Sequence, residues 1–151
     1  MKFADESVQK ILDYANKNDI PNILDKKDFH TTLIYSRKHL PKFVPMGDLE
    51  HPLVGFPMKF DIWPSPPNAF KKEETHCLIL LYKCQEQEDR FDEIMTEHDA
   101  MYDYDEYNTH VTFSYDVGPN FTLDNLDASL VGELSLVKEY SEDLDLDKTF
   151  N

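Results

Sequence analysis

Two histidines in this chain are each followed, two positions on, by a threonine: His30-Thr31-Thr32 and His110-Val111-Thr112. The longer segments His30-Thr31-Thr32-Leu33-Ile34-Tyr35-Ser36 and His110-Val111-Thr112-Phe113-Ser114-Tyr115-Asp116 also share a tyrosine five positions after the histidine. Imidazole has an unperturbed pKa of about 6.5, so near neutral pH one histidine can take a proton while another gives one. Threonine hydroxyls can hydrogen-bond the non-bridging oxygens of a phosphate as charge builds there. Two imidazoles and two hydroxyls brought together suit phosphodiester cleavage, each proton transfer being worth roughly 10²–10⁴-fold in rate. That chemistry calls for no metal and no cofactor. A single His-x-Thr says little, because both residue types are common on strands; two copies with a shared third position say more. His39, His51, His76 and His98 have no such setting and read as surface or packing residues.

For histidine and threonine to point the same way, each motif must lie on extended backbone, where side chains alternate between faces. The runs 28–36 and 110–115 are rich in β-formers and read as strands, the second closed by Gly118-Pro119. Around them, Val8, Ile11, Leu12 and Ala15 recur at helical spacing, predicting a helix from Asp5 or Ser7 to about Lys17. Met1-Lys2-Phe3 fits the stub of a strand. A polar, proline-bearing loop is expected from Arg37 to about Pro57, then a strand over Met58 to Trp63 and a turn over Pro64 to Asn68. His76 to Tyr82 reads as a buried strand, and Gln87 to about Met101 as a helix with Phe91, Ile94, Met95, His98 and Met101 inward. Tyr102 to Asn108 is an acidic, tyrosine-rich connection, and Leu130 to Leu146 reads as a last extended region. This order predicts an α+β fold with mainly antiparallel pairing in one domain, 1–151.

The 151 residues carry a formal charge of −15, with 40% hydrophobic and 13% aromatic content. That content is ordinary for a folded domain. Residues 1–75 hold eleven basic and eleven acidic side chains, whereas residues 76–151 hold four and nineteen, so the excess lies in the second half. Long nucleic acid would be repelled, and an anionic ligand must be small and held locally. Lys26, Lys27, Arg37, Lys38 and Lys42 form a basic stretch around the first motif. No apolar run reaches the ~18 residues of a membrane span, and the acidic N-terminus lacks a signal core, so a cytoplasmic location is expected. Cys77 and Cys84, about 23 Å apart on extended chain, cannot pair and read as buried thiols. The four glycines form no nucleotide-cradling motif.

The two His-x-Thr motifs resemble those that define the two-histidine (2H) phosphoesterase superfamily. The blocks Asp28 to Arg37, Tyr102 to Asp116 and Lys138 to Leu146 further resemble those of the phage anti-CBASS protein 1 family. The resemblance runs from about Lys2 to Leu146. It implies a bilobal fold in which two pseudo-symmetric antiparallel sheets face a central cleft, with helices outside. It also implies cleavage of cyclic di- and trinucleotide second messengers, cGAMP-like dinucleotides among them, in the cytoplasm of an infected bacterium. His30 and His110 would then serve as base and acid, with Thr32 and Thr112 holding the phosphate. Trp63 matches a base-stacking position and Glu142 a base-edge contact. The chain departs from the family at both ends: the first strand has no tyrosine, and Lys148 stands where a tryptophan is expected. Other functions compatible with the residues are a 2H 2′,3′-cyclic phosphodiesterase on RNA ends, an acidic DNA mimic, and a sponge that binds the messenger without cleaving it.

Overall fold

The apolar stretch around Ile79 forms an interior strand of the sheet, paired on both sides. The computed structural model describes residues 1–34, 36, 40–69, 71–98, 100 and 106–142. In chain order these form β1 (Lys2–Phe3), α1 (Asp5–Lys17), β2 (Gly47–Ser65), β3 (Thr75–Lys83), α2 (Gln85–His98), β4 (His110–Ser114) and β5 (Leu134–Glu139), with short 3-10 turns at Lys26–Asp28 and Ala128–Leu130. The strands make one antiparallel sheet in the order β1-β5-β2-β3-β4. Where the family resemblance implies two sheets, the structure joins both through the long β2. Its first half, to Gly55, pairs with β5, and its second half, from Phe56, pairs with β3.

The sheet curls until its outer strands approach. His30 bridges to Lys2 of β1, and Thr31 Oγ1 donates to the carbonyl of His110 at the start of β4 (2.7 Å). The first motif therefore lies between the two ends of the sheet. It was expected to be a strand over 28–36. Instead a 3-10 turn occupies Lys26–Asp28 and the extended chain begins at Phe29, held beside β1 by the His30–Lys2 bridge and by Thr31 N–H donating to the carbonyl of Met1 just before it (3.0 Å). β1 is two residues long, and that limits the ladder to one bridge.

A larger difference concerns 47–57, expected as loop and found as the first half of β2 and the start of its second. Pro52 and Pro57 suggested the loop. Both sit where the ladder is already interrupted: the register breaks between Asp48 and Leu53, and again between Pro57 and Lys59. Proline is tolerated at such breaks because no ladder donor is needed there. The predicted final region is ordered as β5 only over Leu134–Glu139, and Lys148 lies outside the described residues, as does Met101.

Alternation along the strands sorts the faces. Phe60, Leu78, Leu80, Val111 and Phe113 are buried in the core with Leu134 and Leu136. α1 lays Val8, Ile11 and Tyr14 on this core, Tyr14 stacking on Phe60 at 5.4 Å, and α2 adds Phe91 and Ile94. His98 packs edge-on to Phe43, as a packing histidine should. Cys77 and Cys84 are buried and unpaired, and burial pushes both thiols up. No helix among the described residues is long and apolar enough to cross a membrane.

At Gly55, the point where β2 exchanges one partner for the other, an added Cβ would stand 2.6 Å from Cδ2 of the buried Tyr82 ring. That ring cannot swing clear. Gly55→Ala is expected to destabilise the fold by about 1–3 kcal/mol, the usual result of overpacking. A urea titration followed by far-UV circular dichroism measures it, and an unchanged midpoint would show that Tyr82 is free to move.

Candidate active site

Both motifs show the same pattern of burial. Phe29, Thr31 and Leu33 are buried, with His30 and Thr32 half-exposed between them; Thr109, Val111 and Phe113 are buried, with His110 and Thr112 half-exposed between them. In each, the alternation of extended chain turns imidazole and hydroxyl to the same side. The imidazoles are held alike. His30 Nδ1 lies 2.9 Å from the carbonyl of Asp28, and His110 Nδ1 lies 2.8 Å from the carbonyl of Asn108. A carbonyl only accepts, so each Nδ1 carries the hydrogen and each Nε2 is left as the working nitrogen. Neither Thr32 Oγ1 nor Thr112 Oγ1 has a hydrogen-bond partner among the described residues, so both hydroxyls remain available to a ligand.

His110 is held below the ordinary imidazole range, first by burial and then by the nearby charge of His30, against the opposing pull of its bond to Asn108. Two like charges close together disfavour one another, so the pair resists double protonation. Trp63 stands beside this pair, its ring centroid 4.6 Å from that of His110 and tilted by 59°. Its indole N–H donates to Asp61 Oδ2 (3.1 Å), which draws the ring back along β2 toward the histidine. Trp63 is half-exposed and is not part of the core cluster.

A cavity of about 420 Å³ opens next to Trp63, its lining including Lys59, Lys83, Glu88, Tyr107 and Asn108. Met58 and Lys59 both face outward at its edge because the ladder slips a residue there. Such bulges re-aim side chains beside functional sites. Lys83 is paired with Glu88 at 2.5 Å, whereas Lys59 has no acidic partner among the described residues. Glu142 is exposed, near enough to Met1 and Tyr140 to act on their charges. Among the described residues no contact joins it to either histidine. Arg37 and Lys38 of the basic stretch lie outside the described residues. No three His, Cys, Asp or Glu side chains converge to hold a metal ion among the described residues.

The sequence reading passed over Gln87. It is completely buried, and its amide touches Tyr82 Oη (2.6 Å), Tyr107 Oη (2.7 Å) and Thr31 Oγ1 (3.3 Å). Positions 87, 91 and 94 follow helical spacing, so a polar residue on the apolar stripe of α2 was the available signal.

These features define a mixed α/β protein whose curled antiparallel sheet brings the two His-x-Thr segments together, Thr31 bonding to the main chain of His110. A model of the family Anti-CBASS protein Acb1 matches residues 1–151, and the chain belongs to that family. Among similar proteins, the Anti-CBASS protein Acb1 of Vibrio phage KVP40 is 28% identical over 153 residues, covering 100% of this chain and 89% of the relative. Those of Salmonella phage S16 (26% identical; 78% and 70% covered) and Enterobacteria phage T4 (25%; 97% and 86%) are similar as well. Membership implies a role in counteracting CBASS signalling.

Proposed function

We propose that the protein is a phosphodiesterase that opens the 3′–5′ linkages of cyclic di- and trinucleotides in the infected cell, removing the messenger on which the defence depends. The observation that carries this reading is the matched pair of imidazoles, each tied through Nδ1 to the carbonyl two residues back and each with Nε2 unpartnered among the described residues. The 2H phosphoesterase arrangement accommodates the sheet as well. β1, β5 and the first half of β2 accompany His30, while the second half of β2 with β3 and β4 accompanies His110.

His110, the imidazole that burial and its neighbour keep neutral, takes the proton of the attacking ribose 2′-hydroxyl or water. The attacking oxygen bonds to phosphorus and the P–O5′ bond breaks. His30 gives its Nε2 proton to the departing 5′-oxygen, so one proton is gained and one lost by the pair. Thr32 and Thr112 donate to the non-bridging oxygens as charge grows on them. Where the 2′-hydroxyl attacks, a 2′,3′-cyclic phosphate results, which water opens with the two roles exchanged. The cavity beyond Trp63 gives room for the rest of a cyclic oligonucleotide, with Lys59 suited to its second phosphate.

The test is to incubate the protein in excess chelator with 3′,3′-cyclic di- and trinucleotides and with a 2′,3′-cyclic mononucleotide, and to resolve products by chromatography. Linear products from the cyclic oligonucleotides support the reading. Turnover of the mononucleotide alone would favour action on RNA ends, and intact nucleotide recovered from folded protein would favour a sponge. Trp63→Ala is expected to raise KM for a cyclic dinucleotide roughly 5- to 150-fold, the range of base–aromatic stacking. An unchanged KM would return Trp63 to a packing role.

A further inference from the structure

We propose that Gln87 is a positioning residue that sets the spacing of the two motifs; the proposal rests on the phosphodiesterase reading above. Its side chain reaches hydroxyls bound to the main chain of both motifs. Tyr107 Oη donates to the carbonyl of Thr32 (2.8 Å), and Thr31 Oγ1 donates to the carbonyl of His110 (2.7 Å). Each hydroxyl has one hydrogen, and each spends it on a carbonyl, which cannot donate in return. Toward Gln87 both hydroxyls can therefore only accept.

That requirement fixes the amide. Nε2, with two hydrogens, must face Tyr107 and Thr31, and Oε1 must face Tyr82. Burial holds the Tyr82 phenol well above its ordinary range, so it stays protonated and donates to Oε1. Direction thus runs from Tyr82 through Gln87 and then divides, one branch ending on the peptide of Thr32 and the other on that of His110. Phe91 braces the first branch from the same helix, stacking on Tyr107 with centroids 4.1 Å apart and planes 1° apart. Thr109 binds the second motif to β3 by donating to the carbonyl of Tyr82. Every polar atom of the Gln87 side chain is used, which is the condition under which a buried network fixes one geometry.

Gln87 touches neither histidine ring, so its effect on the reaction is through placement. Displacing one motif by about 1 Å against the other is enough to lower turnover by ~10²-fold. Gln87→Met keeps the side-chain length and deletes both donors, while Tyr107→Phe and Thr31→Val each delete one branch. With a cyclic dinucleotide, Gln87→Met is expected to lower kcat by 30- to 100-fold with KM within threefold of the parent. Each single-branch variant should lose less, and adding Gln87→Met to Tyr107→Phe/Thr31→Val should cost little more. The ¹H–¹³C spectra of the imidazoles give a readout independent of turnover: Gln87→Met should move the Cε1–Hε1 signals of both His30 and His110. If Gln87→Met does not fold, the two branch variants carry the same test.

An active parent with an equally active Gln87→Met, or imidazole signals left in place, would overturn this inference while leaving the phosphodiesterase reading standing. A parent that turns over no cyclic nucleotide, with both imidazole signals still moved by Gln87→Met, would sink the phosphodiesterase reading and keep the coupling of the motifs through Gln87.

Discussion

His110→Ala and His30→Ala are each expected to lower turnover of a cyclic dinucleotide by at least 10²-fold, with the folded circular dichroism spectrum kept. Loss of a positioned acid or base is typically worth 10²–10⁴-fold. Both side chains are half-exposed and neither belongs to the core, so the fold has little to lose from their removal. The two variants differ in their pH profiles. His110 must be neutral to act as base, and its pKa lies below 6.5, so the parent rate should fall as pH drops through that lower value. In His110→Ala this acid limb should vanish, and in His30→Ala it should remain. A flat profile between pH 5 and 9 in the parent would count against paired imidazoles, and an acid limb kept in His110→Ala would reverse the two roles.

How much of this was legible in the sequence differs from element to element. The His-x-Thr motifs were visible because extended chain has a period of two, and that period holds even where the ladder shrinks to the single bridge at His30. α1 and α2 were legible from their apolar stripes. The first half of β2 was not. Its prolines argued for a loop, and only the register breaks that accommodate them, one in the pairing with β5 and one in the pairing with β3, show otherwise. The closeness of Trp63 to His110 was equally hidden. Counted by strand and row the two residues are distant, yet their rings stand 4.6 Å apart with the indole N–H bonded to Asp61, and no local pattern discloses that. Gln87 was passed over because a glutamine near the start of an acidic helix looks like a solvated residue. Its partners are Thr31, Tyr82 and Tyr107, and no local pattern discloses contacts at separations of 56, 5 and 20.

Arg90→Met is expected to cost about 3–5 kcal/mol of stability, because it leaves a carboxylate buried without its partner. Glu139 on β5 is 2% exposed, and the Arg90 side chain is 12% exposed. Two parallel bonds join them, Nη2 to Oε1 at 2.8 Å and Nε to Oε2 at 3.1 Å, the geometry in which a guanidinium holds a carboxylate most firmly. Glu139 Oε1 also accepts from the backbone of Met46 (3.2 Å), and the guanidinium stands over Phe43 at 5.6 Å. The loss should appear as a fall in Tm of about 6–20 °C. Replacing both partners, as Arg90→Met/Glu139→Leu, should recover most of it, since an apolar pair of similar volume no longer buries a charge. A single-variant loss under 1 kcal/mol would mean that water reaches the pair. Arg90 follows Gln87 by three positions, so the same face of α2 that holds both motifs through Gln87 is fastened to β5 through Arg90. Arg90→Met should therefore lower kcat below the melting transition as well, and by less than Gln87→Met does, because it loosens the helix without removing the donors that the motifs use.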